Sequence, residues 1–567
     1  MTLTYRILAP IVVTLGCVAM AQSTDTTRTV PQLRTGIPSA YDSAQSVKLL
    51  GKRLLSLLRG PGMRGADVSA AVVSVKTGET LFELNSTRPL TPASTSKLFS
   101  TAAAFYFYGK GATVNTEVLF DGTLAGGVIT GNVYLVGNGD AMLTTPDLEY
   151  LADRIRAAGV RRITGNIVGD GFRFDDDPER SRYSGDGEVV QPLPPITALT
   201  VNDGVVTVVV SNVGGHVRAQ TIPTSSTLAV TVLGTKGRCS IQLSTTPDGY
   251  TTFIVSGRPP LGRTLSRSFT MPKPALTAAG IFASRLASGG ITIDGQVVEQ
   301  SAPSGTTLLA VFRRPLTDIA SVVNKRSHNY LAEHCYMMVG AHCGEYARTA
   351  ARAKRAIVEV LDSLHVPQYG VVMNDGSGLS RRNRSSAATQ VHLLRSAFLQ
   401  SWGPEWRSTL AIAGRDGSLR GRMIGTPAEN NCVGKTGTLR NVSALSGFVR
   451  AADGTDLAFA VISNGPAVRT YKAVENHVAV TLAQFRYDAT TGDTTTIVEF
   501  DETIDGEDEG VVVTTAPPTR PAVSTSRNVS ERKHRKHIAR TPQQLRKAKR
   551  SSKQTATAPT SKRKRRR

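Results

Sequence analysis

Apolar and polar positions change rhythm several times along the chain. Between positions 44 and 58, leucines recur at Leu49, Leu50, Leu54, Leu57 and Leu58, the spacing of an amphipathic helix. Short strands at 70–75 and 80–83 flank Lys76-Thr77-Gly78-Glu79, a hairpin signal. A helix is expected next, ending near Tyr108. Between 118 and 271 the pattern is that of strands: runs at 205–210, 228–233 and 253–255 are punctuated by Gly, Pro and Asp. Helical patterns near 148–158 and 275–288 are each followed by a short strand between glycines, Gly159 to Gly165 and Gly290 to Gly295. That echo predicts a small α/β unit split by an inserted β unit. Helices return from Pro315 to about Leu364. Runs at 446–449 and 457–462 predict a hairpin across Asp453-Gly454, and a helix at 471–485 closes the patterned part.

Both ends depart from this pattern. Arg6, an apolar stretch at 7–18 and Ala19-Met20-Ala21 read as a secretory signal cleaved before Gln22; Cys17 leaves a lipoprotein as the alternative. The apolar run is too short for a comfortable membrane span. Beyond Asp488 come a Thr-rich run, an acidic cluster around Glu507-Asp508-Glu509, and a basic tail. That segment cannot bury enough apolar surface to order itself. The tail changes the meaning of the net charge of +23: residues 520–567 hold 18 Lys/Arg against Glu531 and leave about +6 for the rest. No aromatic residue interleaves those charges, so base stacking is unsupported and no nucleic-acid partner is expected. Four cysteines follow the signal: Cys239, Cys335, Cys343 and Cys432. They read as buried thiols or one structural disulfide. Cys335 and Cys343 would lie about 12 Å apart on a continuous helix, so they could pair only if the chain turned between them, Gly340 being the candidate turn. No spacing suggests a metal site, and no cofactor is expected.

Three short runs carry candidate chemistry. Ser94-Thr95-Ser96-Lys97 follows the helix-start residues Thr91 and Pro92. Residues i and i+3 share a helix face, so the hydroxyl and the amine meet, and the helix N-terminus favours an oxyanion and a lowered lysine pKa. Two further Ser-x-x-Lys matches, at Ser530 and Ser561, fall in the tail and are rejected by context. Ser327-His328-Asn329 supplies a second hydroxyl and an amide; its plain alternative is a helix cap at Ser327, with His328 an exposed loop residue. Lys435-Thr436-Gly437-Thr438 precedes the closing hairpin, where an edge strand can hold a carboxylate and offer a backbone N–H to an oxyanion. A second Lys-Thr-Gly, at Lys76, reads as a turn.

In this order the runs resemble the penicillin-binding proteins of the D-alanyl-D-alanine carboxypeptidase/endopeptidase type. Longer stretches carry the likeness further: Pro92-Ala93-Ser94-Thr95-Ser96-Lys97, Val136-Gly137-Asn138-Gly139-Asp140, Asp375-Gly376-Ser377-Gly378-Leu379-Ser380-Arg381, Gly414-Arg415-Asp416-Gly417-Ser418-Leu419 and Gly434-Lys435-Thr436-Gly437-Thr438-Leu439. The resemblance spans roughly residues 45 to 487. It implies an α/β (α+β) core like that of penicillin-binding proteins and serine β-lactamases, an antiparallel sheet flanked by helices, with nested β-rich insertions. Residues 45–120 and 305–487 are expected to form the catalytic domain, 121–196 with 272–304 an inserted α/β domain, and 197–271 a nested β domain, between a 1–21 signal, a 22–44 lead-in and the 488–567 tail.

The implied activity is that of a serine DD-peptidase acting on peptidoglycan stem peptides and acylated by β-lactams. The resemblance makes Ser94 the nucleophile and Lys97 its base. Ser327 relays a proton, and Asn329 orients the substrate amide and Lys97. Lys435, Thr436 and Thr438 bind the terminal carboxylate, Gly437 lies in that strand, and the backbone N–H groups of Ser94 and Thr438 form the oxyanion hole. Arg381 is a candidate contact for the stem peptide, or else a structural ion pair. A β-lactamase on the same core and a silent wall-binding module are the rivals, and the balance of carboxypeptidase and endopeptidase action stays open. The expected location is the periplasm or cell envelope, with the tail binding anionic envelope polymers or serving only as a solvated appendage.

Overall fold

The computed structural model describes residues 43–186, 191–344 and 347–487; the signal, most of the lead-in and the tail lie outside the described residues. The catalytic part is built on a six-stranded antiparallel sheet. In spatial order its strands are Ala411–Ile412, Val433–Leu439, Val442–Arg450, Asp456–Asn464, Asp67–Ser74 and Thr80–Leu84. The two expected hairpins are thus neighbours in one sheet, although nearly 400 residues separate them in sequence. The second Lys-Thr-Gly is a turn, with Gly78 at φ +79° and its N–H donated to the Ser74 carbonyl.

One face of this sheet is covered by the helices Ser43–Leu58 and Val468–Ala483, which bury Leu50, Leu54, Tyr471 and Leu482 with strand residues Val68, Phe459 and Val461. The other face carries the helices Lys97–Tyr108, Asn329–His342, Thr349–Ser363 and Ala387–Phe398. Lys97–Tyr108 is buried through its first nine residues, and Asn329–His342 is buried from Tyr330 to Gly340. Helices apolar all round belong at the centre of a core. Gly340 is no turn. Its missing side chain lets Thr349–Ser363 pass, since a Cβ there would lie 2.1 Å from the Thr349 carbonyl oxygen. Cys335 and Cys343 stay on one helix and its C-cap, and all four described cysteines are free.

Thr113–Phe120 and Thr307–Pro315 pair with each other. They belong to a five-stranded sheet with Val133–Gly137, Ile167–Asp170 and Val297–Glu299. The physical reason is local pairing: the chain leaves the core on one strand and returns on its neighbour. Beside this sheet lies a four-stranded one, Thr292–Ile293, Arg162–Ile163, Val128–Thr130 and Thr123–Ala125.

The glycine echo is a stack of three copies rather than two. Strand–Gly–strand units at 128–137, 162–170 and 292–299 lie in parallel register. A Cβ on Gly165 would sit 2.4 Å from the Gly131 carbonyl oxygen, and one on Gly295 2.3 Å from that of Gly165. The Asn132 side chain accepts the Asn166 N–H, and the Asn166 side chain accepts the Gln296 N–H, both at 2.8 Å. The helices Thr145–Ala157 and Pro274–Ser288 pack on this stack. Between its second and third copies, two three-stranded sheets enclose Val206, Val208, Val210, Ile241, Phe253, Val255 and Met271 as a separate small core.

Candidate active site

Ser94 lies on a single 3-10 turn, Ala93–Ser96, and the α-helix proper begins at Lys97. In a 3-10 turn residues i and i+3 eclipse one another, so the motif gains the closeness that the sequence spacing anticipates. The turn is held rigidly. Ala93 takes φ +48°, a strained backbone for a residue with a side chain. Thr95 donates its hydroxyl to Pro92 and receives the Gln390 amide, while Ser96 receives the Asn383 amide. Ser94 itself is half-buried and open to one side.

Lys97 is fully buried. Its Nζ lies 2.9 Å from Ser94 Oγ, 2.8 Å from Asn329 Oδ1 and 2.5 Å from the Ser377 carbonyl oxygen. Burial pulls its pKa from 10.5 down to about 7, against the charges of Glu333 and Asp375, which raise it. A neutral amine has two N–H bonds and one lone pair. The two carbonyl-type oxygens take the N–H bonds, and the lone pair faces the Ser94 hydroxyl.

Ser327 and Asn329 arrive on the turn that opens Asn329–His342. Ser327 has φ +56°, which aims its hydroxyl at Lys435 Nζ, 2.9 Å away. The helix cap is His328 rather than Ser327: its Nδ1 accepts the Leu331 N–H at 3.3 Å, because the helix starts one residue later than the cap reading assumes. His328 is half-buried, not exposed, and burial lowers its pKa. Asn329 also donates its amide to Gln191, 2.5 Å away, from the insertion.

Lys435 sits buried on Val433–Leu439 and also donates to the Thr436 carbonyl at 2.8 Å. Thr436 Oγ1 pairs with Ser418 Oγ at 2.8 Å, and Thr438 is exposed at the strand's end. Gly437 is required by proximity. A Cβ there would meet the Pro92 carbonyl oxygen at 2.7 Å and the Ser94 nitrogen at 3.2 Å, so this strand runs directly against the turn that carries Ser94.

The 375–381 loop supplies what reasoning from motifs missed. Asp375 is buried, paired with Arg180 at 2.9 Å, and accepts the N–H groups of Gly378 and Ser380. Gly376 and Gly378 let the loop touch the Asn329–His342 helix and the Ala93–Ser96 turn, where side chains would meet Ala332 at 2.5 Å and Ala93 at 2.0 Å. The loop's Ser377 carbonyl grips Lys97, and Glu333 grips the loop by accepting the N–H groups of Ser377 at 2.9 Å and Gly376 at 3.2 Å. Tyr183 from the insertion donates to the same carboxylate at 2.8 Å. Burial raises the Glu333 pKa to about 7, with Asp375 adding to the rise. Its signal in sequence was a lone acid four residues past Asn329 on an otherwise apolar helix. Arg381 donates its backbone N–H to Asp186 and its guanidinium to the Arg440 carbonyl at 3.0 Å, at the rim beyond Val433–Leu439.

Five side chains from three distant stretches, Ser94 with Lys97, Ser327 with Asn329, and Lys435, therefore meet in one cleft. A hydroxyl beside a buried amine of near-neutral pKa defines a serine acyl-transfer hydrolase that uses lysine where others use histidine. Comparison with known proteins names the group. Residues 50–485 match the D-Ala-D-Ala carboxypeptidase 3 (S13) family. The chain is 31% identical over 479 residues to a D-alanyl-D-alanine carboxypeptidase of Actinomadura sp. (strain R39), covering 80% of this chain and 89% of that one. It is 25% identical over 420 residues to the D-alanyl-D-alanine carboxypeptidase DacB of Haemophilus influenzae, covering 71% and 86%. The crystal structure of penicillin binding protein 4 from Haemophilus influenzae shares the fold, with TM-score 0.58 and 22% identity over 76% of this chain and 99% of that one. The chain belongs to the D-Ala-D-Ala carboxypeptidase 3 (S13) family and is a serine-type DD-peptidase of peptidoglycan. Membership sets the β-lactamase and silent-module alternatives aside.

Proposed function

We propose that Ser94, Lys97, Ser327, Asn329 and Lys435 carry out the reaction, in the following roles. Neutral Lys97 takes the Ser94 hydroxyl proton as Oγ bonds the carbonyl carbon of the penultimate D-alanine. The oxyanion is held by the backbone N–H groups of Ser94 and Thr438. The C–N bond breaks as the proton taken by Lys97 passes through Ser327 to the leaving amine of the terminal D-alanine, which leaves Lys97 neutral again. Water, deprotonated by Lys97, then bonds the acyl carbon, the ester C–O bond to Ser94 breaks, and Lys97 returns the proton to Ser94 Oγ. Lys435, with Thr436, Gly437 and Thr438 on the same strand, receives the terminal carboxylate. Arg381 lies at the rim and contacts the stem peptide. The observation that carries this reading is the three-way contact of Lys97 Nζ with Ser94 Oγ, Asn329 Oδ1 and the Ser377 carbonyl.

Labelled penicillin and intact-mass spectrometry test it. One adduct is expected on the protein and none on Ser94→Ala; an adduct surviving that substitution would reassign the nucleophile. Digestion of purified sacculi measures the balance: free D-alanine reports carboxypeptidase action, and released cross-linked fragments report endopeptidase action. The protein acts after export, in the periplasm or cell envelope, and its basic tail holds it to anionic envelope polymers by counterion release. If a chain ending at Asp488 sedimented with cell-wall material as the full chain does, the tail would have no such role.

A further inference from the structure

One end of the nested β domain combines exposed aliphatic side chains with unopposed cations. Three loops meet there. The hairpin tip after Val205–Val213 turns at Gly214-Gly215, and the 259–263 loop is tied to it by the Gly262 N–H on the Asn212 carbonyl and the Asn212 N–H on the Arg263 carbonyl. The irregular end of Leu228–Arg238 joins them, because Arg238 stands opposite Arg258 in the parallel pair with Thr251–Arg258. Val213, Leu233 and Leu261 are 66%, 70% and 71% exposed there, among the most exposed large apolar residues in the described chain. Lys236, Arg238, Arg258 and Arg263 are exposed alongside them.

Two features need an occupant. Like charges directly across a strand pair are destabilising, yet Arg238 and Arg258 share a register and line one cleft with Arg263 and no acid. Between Asp203 and Asp294 the chain has a single acid, Asp248. It sits before the start of Thr251–Arg258, roughly 25 Å from Arg258 along the strand. The tip also carries no aromatic residue, which separates it from glycan-stacking and protein-docking surfaces, whose cores favour Tyr and Trp. Short aliphatic side chains on tight loops, ringed by cations, suit a surface that is anionic outside and apolar just beneath.

We propose that this tip docks on an anionic lipid bilayer, with Val213, Leu233 and Leu261 entering the headgroup–acyl boundary and Lys236, Arg238, Arg258 and Arg263 facing lipid phosphates. The activity at Ser94 plays no part in the proposal.

The test uses the full chain with vesicles of phosphatidylglycerol diluted in phosphatidylcholine. At about 0.5 M salt, where screening shortens charge interactions to on the order of 4 Å, purely electrostatic binding by the tail is suppressed. Partitioning of Leu233→Ser/Leu261→Ser should then fall about tenfold or more below that of the parent, with penicillin acylation unchanged in both. In a separate variant, the indole of Leu261→Trp should shift its emission to the blue on these vesicles, above the constant signal of the buried Trp402 and Trp406. Equal partitioning of variant and parent would overturn the proposal, as would an unshifted indole. Purified glycan strands competing the protein off the vesicles through Arg238 and Arg258 would overturn it too, in favour of a glycan site.

Discussion

In the proposed mechanism Lys97 is the base, and its burial has two measurable results. The rate of acylation should rise with pH through about 7, because the amine must shed its proton before it can accept that of Ser94. Stability shifts in the same direction over a higher window. The folded-state pKa lies below the unfolded value of 10.5, so between about 7 and 10.5 the unfolded chain holds a proton that the folded chain lacks. Stability therefore rises with pH across that window. Lys97→Met should melt several degrees higher than the parent at pH 7, with the gain shrinking towards pH 10, and should form no penicillin adduct. Calorimetry across that range checks the sign.

Glu333 sharpens the point. The titratable groups facing it are Lys97, Asp375 with its partner Arg180, and the neutral phenols of Tyr183 and Tyr336. Its carboxylate raises the Lys97 pKa and fixes the peptide whose carbonyl holds Lys97. Glu333→Gln should move the acid limb of the acylation profile to lower pH and lower its plateau. A lowered plateau with an unmoved limb would reduce Glu333 to packing. Sequence could single out Ser94, Lys97, Ser327, Asn329 and Lys435 as candidates because motifs announce side chains. It could not name the Ser377 carbonyl, since every residue has one and only the loop's path decides where it points.

At the scale of elements, glycines decide which pieces may touch. Gly437 brings Val433–Leu439 against the nucleophile turn. Gly437→Ala should displace the Ser94 amide and slow penicillin acylation by about a hundredfold, the scale of a lost oxyanion donor, with little change in melting temperature. In the stacked insertion, Gly295→Ala would force a methyl into the Gly165 carbonyl and should cost about 1–3 kcal/mol in denaturant unfolding. Two copies of this stack were legible from their shared helix–Gly–strand–Gly order. The first copy, at 128–137, opens on the second strand of a hairpin and follows no helix, so its likeness shows only in pairing register. The pairing of 113–120 with 307–315 was hidden for a related reason: nothing in either segment states its partner.

At the scale of the whole molecule, the insertion leaves and rejoins the core through two neighbouring strands, the arrangement of a module that could be cut out and the gap closed with a turn. Its side chains forbid that. Arg180 neutralises Asp375, Tyr183 caps Glu333, Asp186 holds the Arg381 backbone, and Gln191 meets Asn329. Arg180→Met, which strands a buried carboxylate, should cost about 3–5 kcal/mol and slow acylation, although Arg180 lies far from Ser94 in the sequence. A minimal enzyme made by excision would inherit an uncompensated anion beneath its own nucleophile. Covalent connectivity makes the appendage look optional, but electrostatics makes it a counter-ion, and any shortened relative must carry a replacement cation or dispense with the aspartate.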